Sequence, residues 1–200
     1  SRKLKVQIND RVIPLMGVLG AFVFAAQMIN FTIPGTGSSG HLGGGMILAI
    51  LLGPHAAFLA MASVLTVQAL FFADGGLLAL GCNIWNLGVY PCYLVYPLLY
   101  RPLAGEGHSP GRILIASVLS VVVALQLGAF SVVLETLVSG RSELPVGAFV
   151  LLMQPIHLAI GIVEGFVTAG IIGYVAAARP EILESVAAAR PVARGVPLAK

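Results

Sequence analysis

The feature that most constrains this fold is a series of apolar stretches that are too long and continuous for a soluble domain. They cover about residues 12–32, 41–73, 77–100, 111–138 and 146–177. A helix needs about 20 apolar residues to cross the hydrocarbon core of a bilayer. The stretches do not alternate at period two, which excludes a transmembrane β-barrel. We therefore predict an all-α, polytopic helical membrane protein.

The composition agrees with that class and argues against others. Hydrophobic residues make up 58% of the 200 residues and charged residues only 10%, whereas soluble domains carry about a quarter charged residues. The net charge of +3 does not indicate nucleic-acid binding, because the basic residues adjoin apolar stretches and act as topology signals. We therefore expect a lipid bilayer, and no nucleic acid, as a partner.

Basic residues also predict the side of the membrane on which each loop lies. They occur in the opening SRKLK, at Arg101 and Arg112, and from Arg179 onward, so these three regions are predicted to be cytoplasmic. An even number of crossings must then separate the first region from the second. The sequence thus predicts a transmembrane domain over residues 1–178 and a cytoplasmic tail over 179–200.

A break within the second apolar stretch supplies the even count. Gly53-Pro54 interrupts it, because proline disrupts a helix and disfavours helix just before it. We therefore predict separate spans at 40–53 and 55–72, and about six transmembrane helices in all. The glycine-rich loop before 40–53 and the ADGG turn after 55–72 then both lie on the outer side.

The glycine-rich loop GTGSSGHLGGG, residues 35–45, has three interpretations. A phosphate-binding loop requires G-x-x-x-x-G-K-[ST] after a strand. Here His41 replaces the lysine and no lysine lies within twenty residues, so we predict no bound nucleotide. A flexible linker and a metal-binding loop both remain. In a metal-binding loop the glycines would allow close approach of the chain, and the His41 imidazole would suit nickel, cobalt or zinc.

Other polar residues are candidates to support or gate such a site. On the predicted outer side these are Asp74, Asn83 and Asn86. Within the membrane, ionisable residues are functional candidates, and they are Glu135, His157 and Glu164. The last two lie seven residues apart on one helix face. They form either a hydrogen-bonded contact between helices or a supporting or relay group beneath a metal site.

Small residues predict a packing surface on the first span. Gly17, Ala21 and Ala25 recur at spacing four, which lets another helix approach closely, within the chain or in a partner subunit.

Cys82 and Cys92 show no CxxC spacing, and we expect both to be buried as small apolar residues.

A resemblance to a known family runs from about Arg11 to Ala178. Three long stretches of sequence carry it. They are IPLMGVLGAFVFAAQMINFTIPGTGSSGHLGGG, LGPHAAFLAMASVLTVQALFFADGGLLALGCNIWNLG and HLAIGIVEGFVTAGI. The glycine-loop histidine followed by FFADGGLLALGCN is a specific combination. Together they resemble the CbiM/NikM family, the metal-binding membrane (S) subunits of energy-coupling factor transporters for cobalt and nickel.

The resemblance implies a function without catalysis. It implies a Co²⁺ or Ni²⁺ ion, as transported substrate, in a square-planar, nitrogen-rich site on the outer side, with His41 as one ligand. It implies a membrane coupling (T) subunit and cytosolic ATPase subunits as partners, with a small accessory membrane subunit as a further candidate. It also implies a multi-pass location in the inner (plasma) membrane of a prokaryote.

One departure concerns the other ligands. Family members begin with a Met-His segment, and its terminal amine, backbone nitrogen and imidazole supply the other three metal ligands. An additional helix follows that segment. The sequence begins at Ser1 with neither. We therefore expect a piece that lacks this segment, in which His41 is one ligand of four.

Two other functional classes of membrane protein would require different residues. An S-type subunit or secondary carrier for a small organic substrate, such as a vitamin, would be favoured by an apolar cavity lined by Phe71, Trp85 and Tyr90. An intramembrane metalloprotease would need a ligand set such as HExxH on one helix. That motif does not occur in the sequence.

Overall fold

The computed structural model describes residues 12–105, 109–140 and 144–188. These parts of the chain form seven helices and one short β-hairpin. The fourth helix, α4, is continuous and consists of Leu80–Ile84, a π-helical segment Trp85–Tyr100 and Arg101–Ala104. The other elements are α1 (Val12–Gln27), β1 (Phe31–Ile33), β2 (Ser38–Gly40), α2 (Gly45–Leu52), α3 (Pro54–Phe71), α5 (Pro110–Ser139), α6 (Val146–Ala178) and α7 (Pro180–Ala188).

The predicted helical membrane fold is confirmed. By length and composition, α3, α5 and α6 are each able to cross a membrane. The spans predicted at 55–72, 111–138 and 146–177 agree with these helices to within one residue at each end. Helix α1 is apolar, and its described part has 16 residues. It ends at Gln27, after which the chain enters the hairpin.

The segment predicted as a short span at 40–53 is helical only over α2, with eight residues, or about 12 Å at 1.5 Å per residue, whereas the hydrocarbon core is about 30 Å thick. All eight residues of α2 are buried in protein, so the segment is shielded from lipid by the rest of the chain. That 40–53 crosses the membrane stays a prediction. The break is where the sequence placed it: Gly53 adopts a φ of 76°, and Pro54 begins α3.

A β-hairpin that the sequence did not predict leads into the glycine-rich loop. Strands β1 and β2 pair antiparallel, and at the turn the Thr36 hydroxyl donates to the Ile33 carbonyl at 2.8 Å. The Ile33 side chain is fully buried in a small apolar cluster with Phe149 of α6. The hairpin therefore fixes the chain immediately before His41.

The most extensive helix packing joins α5 and α6. Gly161 and Gly165 of α6 lie against the backbone of α5, where a Cβ at Gly165 would lie 2.6 Å from the Val118 Cα and one at Gly161 3.0 Å from the Val122 Cα. Two glycines four residues apart are a common contact of this kind in membrane proteins. This pair holds α6, which carries His157 and Glu164, rigidly against α5.

The small-residue stripe on α1 does not pack within the described part of the chain. A Cβ added at Gly17 would meet nothing within 4 Å. The residues of α1 that are buried instead are Gly20, Val23 and Gln27. The stripe is exposed at all three of its positions, Gly17, Ala21 and Ala25. Contact of this stripe with a partner subunit stays a prediction.

The start of the predicted tail continues as a helix. Helix α6 ends at Ala178 and α7 begins at Pro180. Leu183 of α7 is buried in the same apolar core as α2, so α7 packs beneath the short helix. Residues 189–200 of the predicted tail lie outside the described residues.

Candidate metal centre

The loop between β2 and α2 passes so close to its neighbours that only glycine fits. A Cβ at Gly43 would lie 2.8 Å from the Leu125 side chain, and one at Gly44 would lie 2.5 Å from Val23. A Cβ at Gly45 would collide with the Pro91 ring. Since His41 lies two residues before Gly43, these contacts limit where its imidazole can lie.

On one side, the loop is held by the carboxylate of Glu164. Its Oε2 accepts a hydrogen bond from the Gly43 amide at 2.6 Å, and its Oε1 accepts one from the Gly44 amide at 2.8 Å. Glu164 is only 4% exposed. The contact therefore joins α6 to the loop and not to another helix, and a supporting role beneath a metal site stays a prediction.

On the other side, two glutamines that sequence reasoning missed hold the same residue. Gln27 of α1 donates from Nε2 to the Gly43 carbonyl at 2.7 Å, and Gln68 of α3 donates to Gln27 Oε1 at 3.0 Å. Both glutamines are buried. The available signal was a glutamine within each of two apolar helices, where polar side chains usually bond across helices.

The imidazole of His41 is oriented by the backbone of the next residue. Its Nδ1 lies 2.8 Å from the Leu42 carbonyl oxygen, which can only accept, so Nδ1 carries the proton and donates. In the neutral form of the ring this leaves the lone pair on Nε2, the nitrogen at which a metal would bind. No hydrogen bond to His41 Nε2 occurs within the described residues.

His157 of α6 has the same arrangement. Its Nδ1 donates to the Met153 carbonyl at 2.8 Å, which again leaves Nε2 as the free lone pair. The residue is 9% exposed and lies near enough to His41 for the two rings to interact electrostatically. Two imidazoles of one tautomer therefore border the same space.

That space is a cavity of about 1030 Å³ with both polar and apolar side chains in its lining. Six of the candidate residues line it: His41, Asp74, Asn83, Asn86, Glu135 and His157. Glu164 does not line this cavity. It lies behind the loop, beside a separate void of about 10 Å³, because its carboxylate is occupied by the loop amides.

Asp74 and Asn83 stabilise the ADGG turn at the margin of the cavity. Asp74 Oδ2 accepts from Asn30 Nδ2 at 3.4 Å, which connects the end of α1 to the turn. Asn83 Nδ2 donates to the Gly75 carbonyl at 3.1 Å. Their observed role is to shape the turn, and any contact with a metal stays a prediction.

A second polar network includes two further residues of the cavity lining, Asn86 and Glu135. Asn86 Nδ2 donates to Glu135 Oε2 at 3.0 Å, and the Ser131 hydroxyl donates to Glu135 Oε1 at 3.4 Å.

The expectation of burial holds for Cys92 and is wrong for Cys82, which is exposed, because it lies in the first turn of α4 and lines the cavity.

The described residues do not by themselves complete a closed metal site. Among them, no group of three or more His, Cys, Asp or Glu side chains could hold an ion together. The aromatic residues that would favour an organic substrate lie elsewhere, and the cavity lining contains none of them: Phe71, Trp85 and Tyr90. Trp85 and Tyr90 instead pack edge to face, with ring centroids 6.0 Å apart.

Comparison with known proteins matches this architecture to one family. The family described as "Cobalt uptake substrate-specific transmembrane region" matches residues 1–182. A protein of Archaeoglobus fulgidus named "Putative fused nickel transport protein NikMN" is 39% identical over 188 residues, which cover 94% of this chain and 61% of that protein. The "Cobalt transport protein CbiM" of Sorangium cellulosum is 28% identical over 86% of this chain and 76% of its own length.

A solved structure has the same fold. The crystal structure of a truncated transition metal transporter superposes with a TM-score of 0.74 at 29% identity and covers 87% of this chain and 85% of that one. The relatives are named as transport proteins, which confirms the prediction of a chain that is not an enzyme. The match over residues 1–182, together with this shared helical fold, shows that the chain belongs to the CbiM family, the cobalt uptake substrate-specific transmembrane region.

Proposed function

We propose that the chain is the substrate-binding membrane subunit of an ATP-driven energy-coupling factor importer, which binds Co²⁺ or Ni²⁺ on the outer side and delivers it inward. The observation that carries the proposal is the Nε2 of His41, which has no hydrogen-bond partner among the described residues, at the wall of the cavity, on a loop held from both sides by buried polar side chains. The family match supports cobalt or nickel as the class of substrate.

The ligand chemistry supports a transition metal. Imidazole nitrogen suits nickel and cobalt, whereas calcium and magnesium prefer oxygen ligands. His41 supplies one nitrogen, and His157 is the second imidazole on the same cavity. The resemblance implies that the remaining ligands come from a Met-His segment. An organic substrate gains no support, because none of the three candidate aromatic residues lines the cavity.

The source of energy is proposed to be partner subunits. The sequence contains no G-x-x-x-x-G-K-[ST] motif, so ATP would be hydrolysed by cytosolic ATPases acting through a membrane coupling subunit. The location is the inner (plasma) membrane of a prokaryote. Any displacement of α6 would move Glu164 and thereby the loop amides that it holds, which offers a direct route from the partners to His41.

Transport by the assembled complex tests the proposal. The chain, extended at its N-terminus by the Met-His segment that the resemblance implies, is co-expressed with a coupling subunit and ATPases, and accumulation of radioactive cobalt and nickel is measured in cells. We expect uptake that stops in an ATPase-dead complex and in His41→Ala, and that persists in His55→Ala. His55 is a matched control, because its Nδ1 is paired with the Tyr93 hydroxyl at 3.2 Å and it does not line the cavity. Uptake of neither metal by the wild-type complex would overturn the proposal.

A further inference from the structure

His157 is a buried histidine whose second ring nitrogen no described group of the protein uses. It is 9% exposed, and its Nδ1 donates to the Met153 carbonyl, whereas its Nε2 has no hydrogen-bond partner in the described part of the chain. The buried side-chain atoms that lack a partner there belong to Asn86, Ser117 and Ser120, and not to His157. The unpaired Nε2 is therefore open to space, and the space that His157 borders is the cavity.

The chemistry of this nitrogen suits a metal ion. Because Nδ1 holds the proton, the Nε2 of the neutral ring carries a lone pair and cannot donate. A backbone carbonyl that fixes the other ring nitrogen is the arrangement typical of metal-binding histidines. Imidazole nitrogen suits nickel and cobalt, and ionisable groups within a membrane often mark the path of an ion.

The charge of the cavity favours the entry of cations. Asp74 and Glu135 line it, and no Lys or Arg among the described residues does. The hydrogen-bond partners of the two acids are neutral: Asn30 for Asp74, and Asn86 and Ser131 for Glu135. Two carboxylates without a basic partner raise the local concentration of cations.

His157 lies on the outer side of the point at which α6 holds the loop. It precedes Glu164 by seven residues on α6, which is about 10 Å of helix at 1.5 Å per residue. The Glu164 carboxylate is bonded to Gly43, and the predicted topology places the start of α6 toward the outer side. An ion that enters from outside therefore reaches the level of His157 before it reaches that of Gly43.

We propose that His157 binds Co²⁺ or Ni²⁺ transiently in the cavity, as an entry position that the ion occupies before it reaches His41. This inference rests on the proposed function. The ion exchanges one water of its hydration shell for a bond to Nε2, and no proton is released, because this nitrogen carries none. A single protein ligand holds the ion too weakly for it to be retained through dialysis, so it can be passed on to the loop.

The reactivity of the ring nitrogens reports on this position. Diethyl pyrocarbonate acylates an unprotonated imidazole nitrogen, and a bound metal blocks the reaction. The chain has four histidines, and mass spectrometry gives the rate at each. We would use the 200-residue chain in lipid nanodiscs, as wild type and as His41→Ala, with Ni²⁺ as the probe ion. Ni²⁺ at about ten times its dissociation constant should slow the modification of His157 about tenfold in both proteins.

Two controls separate this result from non-specific protection. His55, which is paired with the Tyr93 hydroxyl and does not line the cavity, should react equally with and without Ni²⁺. Mg²⁺, which prefers oxygen ligands, should leave His157 unprotected. Protection of His157 that is absent in His41→Ala would overturn the inference. So would a His157 that does not react even without metal, because its Nε2 would then not be open to the cavity.

Transport gives a second readout, in the uptake assay of the proposed function. His157→Gln should raise the nickel concentration for half-maximal uptake several-fold and change the maximal rate less, because an entry position acts on capture of the ion. An unchanged half-maximal concentration would contradict the entry role. These results leave the comparison of the wild-type and ATPase-dead complexes unaffected, so failure of this inference is distinguishable from failure of the proposed function.

Discussion

The carboxylate of Glu164 accepts a hydrogen bond from the Gly43 amide at 2.6 Å, across 121 residues of sequence. This bond joins the middle of α6 to the loop that carries His41. On the opposite side of Gly43, Gln27 holds its carbonyl. The N–H and C=O groups of Gly43 are therefore both hydrogen-bonded to buried side chains. Irregular backbone is tolerated inside a membrane protein when its polar groups are satisfied within the protein in this way.

Replacing Glu164 with Gln should weaken metal binding without removing His41. The amide offers one accepting oxygen, so one of the two loop amides that Glu164 now holds loses its partner. Groups that orient a metal ligand typically contribute about 10–100-fold in affinity, and we expect a loss of this size in calorimetric titration with Ni²⁺. Glu184→Gln, an exposed carboxylate on α7, is the control. Unchanged affinity in Glu164→Gln would show that the loop does not depend on this contact.

The Gly45→Ala substitution should displace α2. Its Cβ would collide with the Pro91 ring and lie 2.6 Å from the Leu87 carbonyl oxygen, neither of which can rotate away. Overpacking of a core typically costs about 1–3 kcal/mol, and we expect a lower midpoint of thermal unfolding in detergent. Gly17→Ala on α1 is the matched control, because its Cβ meets nothing within 4 Å. Equal midpoints of thermal unfolding for Gly45→Ala and Gly17→Ala would contradict the close approach of Gly45 to Pro91 and Leu87.

Replacing Gln27 with Leu should reduce both stability and metal affinity. The Gly43 carbonyl and the Gln68 amide would lose their partner, at a cost of about 1–3 kcal/mol for each buried group left unpaired. Gln126→Leu separates the two effects, because Gln126 donates to the Gln154 carbonyl at 2.8 Å away from the cavity. It should lower the unfolding midpoint and leave Ni²⁺ affinity unchanged. If both variants lost affinity alike, the contact with Gly43 would have no special role.

The predicted topology can be tested with the native thiols. Cys82 lines the cavity and Cys92 is buried. A membrane-impermeant maleimide added to intact cells should therefore label wild-type protein and not Cys82→Ser. Labelling that occurs only after the cells are permeabilised would place the cavity on the cytoplasmic side and contradict the positive-inside assignment.

Much of the fold could be predicted from the sequence, because bilayer thickness fixes the length of a span and proline marks its ends. Helices α3, α5 and α6 follow from these rules alone. The segment 40–53 does not, since a count of apolar residues cannot show that buried side chains elsewhere hold residues 41–44 outside any helix. The same limit applies to small residues. Gly161 and Gly165 lie against the backbone of α5, whereas Gly17 on α1, which belongs to a stripe of the same spacing, meets nothing within 4 Å.

The candidate site was predicted in part. Six candidates line one cavity, and four of them come from the three segments that the predicted topology places on the outer side. The roles of Glu164 and Gln27 could not be predicted, because each depends on a contact between residues that are far apart in sequence. Glu135 was visible as an intramembrane acid, but its pairing with Asn86 required the packing of α4 against α5.

The most direct test of the account is the metal content of the purified protein in lipid nanodiscs after incubation with equal Co²⁺ and Ni²⁺. The 200-residue chain would be measured alone and with a Met-His segment added at its N-terminus, each as wild type, His41→Ala and His55→Ala. We predict about one ion held per chain through equilibrium dialysis in the extended wild type and in His55→Ala, and none in His41→Ala. About one ion retained by His41→Ala would contradict the assignment of His41 as a ligand.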